Sequence, residues 1–236
     1  MASDKWLVRR RIDQFPIVLF IVAVAMTGAV QADPLCAQDV EGMVGIKAGA
    51  ITTGVDSEIP AFLNTDWRTG MSAGVFVALD PASNLTVRAD LLFSQRGFGF
   101  RMYQEGPGLI PGEANVKSLE LQMDVGLRIP WPGQQASVRV FAGPALGYQL
   151  SCKVNGSLMG MAFKQDCDEP AVGLETRTLD LGASVGAGMD IHLLPFTVVM
   201  DGRYTYGLRN LNKGSPGSEN LSSRAWSFTV GIGWPF

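Results

Sequence analysis

Reactive side chains are scarce in this sequence. One histidine, His192, and three cysteines, Cys36, Cys152 and Cys167, stand among 236 residues, too few to assemble a metal-binding set. Histidine-dependent catalysis has only His192 to draw on, and Asp190 beside it reads better as a structural partner than as a catalytic orienter. Neither an enzymatic activity nor a cofactor is expected. Gly106, Pro107 and Gly108 form no phosphate loop, since no lysine and no helix follow them. Basic residues number 19 against 22 acidic ones, with no basic patch interleaved with aromatics, so nucleic acid is not an expected partner.

Long apolar runs are equally rare. The only one, residues 15–30, follows Lys5, Arg9, Arg10 and Arg11 and precedes small residues, the layout of an export signal cleaved after Ala32 or Ala37. At about 1.5 Å per residue its sixteen residues reach roughly 24 Å, short of the ~30 Å hydrocarbon core that an uncleaved anchor would cross. Cleavage after Ala37 removes four basic residues and the acids Asp4, Asp13 and Asp33, taking the net charge from −3 to −4. Cys36 falls at that boundary, preceded by Asp-Pro-Leu rather than the small residues of a lipoprotein site. The remaining pair, Cys152 and Cys167, is even in number and belongs to an exported chain, which favours a disulfide.

What the chain has in quantity is alternation. From Thr178 to Leu193 every second residue is apolar, from Leu179 through Val185 to Leu193, and every residue between is polar, charged or glycine. A helix would space its apolar residues by three and four, so the period of two marks a strand. The same period recurs over 44–50, 71–79, 85–94, 119–129, 137–150, 196–207 and 225–236, giving eight strands. Several exceed the five or six residues usual in globular proteins and suit a tilted crossing of a bilayer. Connections alternate in length: 80–84, 130–135 and 194–195 are short, whereas 53–67, 97–115, 151–177 and 209–223 are long and rich in Gly, Pro, Asn and Ser. In a meander every second connection falls at the same end, so one rim carries short turns and the other long loops, the asymmetry of an outer-membrane barrel. Trp67, Tyr103, Tyr148, Tyr206, Trp226 and Trp234 sit near strand ends, where interfacial belts lie.

Taken together, GIKAGA (45–50), ADLLFSQRGFG (89–99), FAGPALGY (141–148), LDLGASVGAGMDI (179–191), DGRYTYGLRNL (201–211) and FTVGIGWPF (228–236) resemble the small bacterial outer-membrane β-barrel proteins often labelled porin family or PorT-like. The resemblance covers nearly all of the chain after the signal. It implies an all-β, eight-stranded antiparallel up-and-down barrel over 41–236, in the bacterial outer membrane, with lipid and the barrel assembly machinery as partners. The assembly signal that it implies is Phe236 at the end of an alternating last strand, after Phe228, Val230, Ile232 and Trp234. Pro235 departs from that pattern and must stand where the ladder needs no N–H.

Eight strands leave an interior just wide enough for side chains, whereas a water-filled channel takes about sixteen. The inward positions carry Lys47, Arg88, Arg128, Arg139 and Arg203 against Asp90, Glu120, Asp124, Asp180, Asp190 and Asp201. Such charges must pair to offset their desolvation. Folding the chain about 131–135 sets Arg139 opposite Gly126 and makes Asp124 its expected partner, with Arg88 and Asp90 in a second cluster. The function expected is structural or surface-interacting, through four long external loops that could hold an unidentified ligand, in a monomer; a small passive pore for small solutes is the alternative, with an outer-membrane enzyme behind it.

Overall fold

Period-two patterning becomes strand wherever it occurs after residue 40. The computed structural model describes residues 41–57, 62–104, 108–131, 135–158, 161–167, 178–208 and 221–236, so the expected signal segment and Cys36 lie outside the described residues, as does the side chain of Tyr103. The strands are β1 (Glu41–Ser57), β2 (Phe62–Ala82), β3 (Leu85–Gln104), β4 (Gly108–Pro130), β5 (Ala136–Leu158), β6 (Met161–Asp166), β7 (Leu179–Leu193), β8 (Phe196–Gly207) and β9 (Leu221–Pro235). All but β6 run antiparallel around one sheet, and the pairing of β4 with β5 together with that of β1 with β9 closes it into an eight-stranded barrel. Closure leaves no unpaired edge, the condition for a sheet to cross hydrocarbon.

The last two residues show how the seam is finished. Phe236 donates its N–H to the Gly42 carbonyl at 2.9 Å, so the N–H that Pro235 lacks would point the other way, toward β8. That ladder has already ended at Thr197 opposite Gly233. Proline therefore costs the barrel no hydrogen bond. The Phe236 ring lies over Gly42, where any Cβ would stand 2.6 Å from the ring carbons.

Outward positions are apolar and exposed to the surroundings: Val125, Leu127 and Ile129 on β4, Val185 on β7, and Phe228, Val230 and Ile232 on β9. On β4 the outward apolar set runs from Leu119 to Ile129. Ten steps of about 3.4 Å, tilted by ~40°, span roughly 26 Å, the height of the apolar band of such barrels. Trp67, Tyr206 and Trp226 lie toward the long-connection end of the outer surface, Trp131 and Trp234 toward the short-turn end.

Two expectations need correction. The segment 97–115 is not an irregular loop, because β3 and β4 stay paired without a break from Leu85 opposite Leu127 to Gln104 opposite Gly108. Likewise β1 pairs with β9 as far as Ser57 opposite Leu221, and residues 153–158 fold back on β6, a strand that alternation does not reveal. Beyond the bilayer both faces of a hairpin meet water, so the apolar period vanishes while the ladder continues. The second correction concerns the 131–135 turn. Trp131 donates its N–H to the Ala136 carbonyl at 2.9 Å, and Arg139 stands opposite Arg128 rather than Gly126. The slip is two residues, so the faces survive and the partners change.

Cys152 and Cys167 are bonded, fastening the end of β6 to β5, with the Cys167 N–H donated to the Cys152 carbonyl at 3.2 Å. Their separation of fifteen residues closes a loop worth about 3 kcal/mol in the chain-entropy account. Replacing both with serine is predicted to speed amide hydrogen exchange along the ladder from Lys153 opposite Asp166 to Leu158 opposite Met161. The barrel, closed by its own strands, should still migrate differently boiled and unboiled; unchanged exchange in the variant, or loss of the barrel, would count against this division.

Candidate functional site

Inward-facing positions bring charged residues from six strands into the barrel's interior: Lys47 from β1, Arg88 and Asp90 from β3, Asp124 from β4, Arg139 from β5, Asp190 from β7, and Asp201 and Arg203 from β8. All are buried, Asp90 and Asp190 at 0% exposure and Arg139 at 1%. Their ion pairs form one continuous chain. Asp190 accepts from Arg139 Nη1 at 3.1 Å, and Arg139 Nη2 reaches Asp201 Oδ1 at 2.6 Å. Asp201 also meets Lys47 Nζ at 3.4 Å and Arg88 Nη1 at 3.1 Å. Both of those cations continue to Asp90, Lys47 at 2.5 Å and Arg88 Nε at 3.0 Å. Arg203 then links Asp90, at 3.1 Å, to Asp124, which it grips through both guanidinium ends at 2.5 and 2.9 Å.

Four cations therefore neutralise four carboxylates within hydrogen-bonding reach, the condition under which buried charge is tolerated. Asp124 is the partner of Arg203, not of Arg139 as the shorter turn implied. Arg88 and Asp90 do contact each other, inside the common network rather than in a separate one. The remaining inward charges find partners nearer the two rims. Arg128, toward the short-turn rim, pairs with Asp80 at 2.7 Å and reaches Asp190 at 3.9 Å, and Glu120, toward the opposite mouth, pairs with Arg96 Nη2 at 2.5 Å. Asp80 and Arg96 escaped the sequence reading because one sat in an assumed turn and the other near the end of an assumed strand. Asp180 accepts from Ser223 Oγ at 3.2 Å and lies apart from the central chain.

Aromatic rings complete the filling. The Arg88 guanidinium lies 4.0 Å from the centroid of Phe76, and Arg203 lies 4.8 Å from that of Phe141, distances suited to cation–π attraction. Each ring occupies space that a glycine vacates: a Cβ on Gly45 or Gly186 would stand 2.6 Å from Phe76 or Phe141 respectively. Toward the short-turn end, Phe76 joins Met43, Ala78 and Val199 in a buried apolar cluster. Phe76 was not marked by alternation, since an inward aromatic reads only as an exception. His192 is exposed at that rim, its Nδ1 3.2 Å from Thr197 Oγ1, while Asp190 is engaged with Arg139. Among the described residues no cluster of His, Cys, Asp and Glu could hold a metal ion.

A model of the outer membrane protein beta-barrel domain family matches residues 36–213. The chain belongs to that family. It is thus a bacterial outer-membrane protein, and the match is to the barrel domain as a whole, a coarser level than the PorT-like resemblance. No curated protein matches the chain. Among solved structures, neisserial surface protein A is 13% identical, with 82% of this chain and 97% of that one covered and a TM-score of 0.42. OprG from Pseudomonas aeruginosa is 14% identical, covering 83% and 96%, with a TM-score of 0.45. Outer membrane protein W of E. coli is 17% identical, covering 83% and 98%, at 0.41.

Removing one member of the family barrel's central network leaves its partners charged and buried. Arg139→Ala is predicted to cost about 3 to 5 kcal/mol of unfolding free energy in detergent, read by tryptophan fluorescence against urea. In double-mutant cycles Arg139 should couple to Asp201 by about 1 to 3 kcal/mol and to Asp124 by distinctly less. Stronger coupling to Asp124 would refute the partners assigned here.

Proposed function

We propose that this chain is a closed scaffold of the outer membrane that does not conduct solutes and acts through what its external hairpins contact. The continuous buried ion-pair network is the observation that supports this reading: four cations and four carboxylates, drawn from six strands, occupy a lumen that eight strands make narrow. Opening a path through it would separate charges already desolvated. On this reading the N-terminal segment 1–37 directs export, the alternating residues Phe228 to Phe236 present the terminal strand to the assembly machinery, and the mature 41–236 domain works as a monomer.

The external portions of β1 to β6 are paired ladders rather than loose chain, which suits them to presenting a fixed surface to an unidentified ligand. Planar-bilayer recording tests the proposal. The purified barrel should give no large, steady conductance, and a stable open level under the same conditions would favour the small passive pore instead.

A further inference from the structure

Lysine is distributed unevenly over the barrel. Lys47 is buried in the network, whereas Lys117 on β4, Lys153 on β5 and Lys164 on β6 are all exposed on one continuous sheet. Lys117 lies two residues beyond Leu119, hence on the same outward face and about 7 Å further from the membrane midplane along the strand. It stands opposite Ser151, two residues from Lys153, and Lys164 stands opposite Asn155, two residues further. The three ammonium groups thus continue the outward face of the barrel on one side, starting where its apolar band ends. None makes an ion pair among the described residues. Gln95 and Asn115 share the face, and of its acids Glu113 is held by Arg68 while Asp166 stands opposite Lys153. The short turns at the other rim, 80–84, 130–135 and 194–195, carry no lysine or arginine.

We propose that Lys117, Lys153 and Lys164 form a lateral docking surface for the phosphorylated glycolipid of the outer leaflet. An outward-facing cation at headgroup height meets lipid phosphate before it meets anything else, and lysine serves there as a point charge. Three lysines on diagonal, same-face positions about 7 to 8 Å apart can engage a headgroup bearing two phosphates. The amides of Gln95 and Asn115 add donors and acceptors suited to sugar hydroxyls. Charge complementarity favours this occupant over a protein, because the face looks along the bilayer rather than away from it. The assignment rests on the outer-membrane placement and not on the closed lumen, so a conducting barrel would leave it standing.

Native mass spectrometry of the detergent-solubilised barrel provides the test, with bisphosphorylated lipid A, dephosphorylated lipid A or phosphatidylglycerol as probes. Wild type should retain bisphosphorylated lipid A, and the K117Q/K153Q/K164Q variant should retain it about tenfold less, as expected for loss of several surface cations. The corresponding lysine-to-arginine variant should retain it, and all three proteins should remain heat-modifiable. Should the glutamine variant not fold, the wild type decides alone: its retention must fall with added salt and exceed that of both other lipids. Equal retention by the folded glutamine variant, or equal retention of dephosphorylated lipid A or phosphatidylglycerol, would overturn the proposal.

Discussion

Charge removed from water must find charge, and the barrel's interior is arranged around that requirement. Asp201 and Asp90 each touch three cations, and Lys47 and Arg88 each touch both carboxylates. Such sharing leaves none of these four dependent on one partner, whereas Asp124 at the edge of the network has only Arg203 as a cation among the described residues. Because the members come from six strands, the network also fixes how those strands stand around the axis. A slip of one residue would carry inward charges to the lipid face, where nothing could neutralise them. β2 and β9 enter by other means: Phe76 lies beneath Arg88, and Gly231 leaves the space into which Lys47 fits, since a Cβ there would stand 2.7 Å from that of Lys47.

The bilayer supplies the opposite constraint. Outside, every backbone group must be paired and every side chain apolar over the hydrocarbon height, which closure and the outward sets of β4, β7 and β9 satisfy. Past that height the constraint lifts. The ladders of β3 with β4 and of β5 with β6 continue without apolar alternation, and outward lysines replace outward leucines. The change from Leu119 to Lys117 marks that border within one strand.

How much was legible follows from which constraint wrote each residue. Strand existence, number within the barrel, facing and the inward charges of β1, β3, β4, β5, β7 and β8 are legible because lipid on one side and a filled interior on the other force a period of two. Cys152 and Cys167 are legible as the even pair that an exported chain keeps once Cys36 is set aside with the signal. The partner of Arg139 is not, because it depends on a turn whose closure at Trp131 and Ala136 no pattern encodes, and because Asp190 and Asp201 come from strands distant in sequence. Asp80 and Arg96 sit where alternation fades, and Phe76 is inward only because Gly45 yields to it. The hairpins beyond the membrane leave no periodic trace at all.

The claim on which the rest depends is that the interior is one interlocked ion-pair network. Solid-state NMR on the barrel in lipid, measuring dipolar couplings between arginine side-chain nitrogens and aspartate carboxyl carbons, addresses it directly. Assigned by removing one residue at a time, strong couplings should connect Arg139 with both Asp190 and Asp201, and Arg203 with Asp124, as their contacts of 2.5 to 3.1 Å require. Guanidinium groups that exchange freely with water and show no carboxylate coupling would contradict the account.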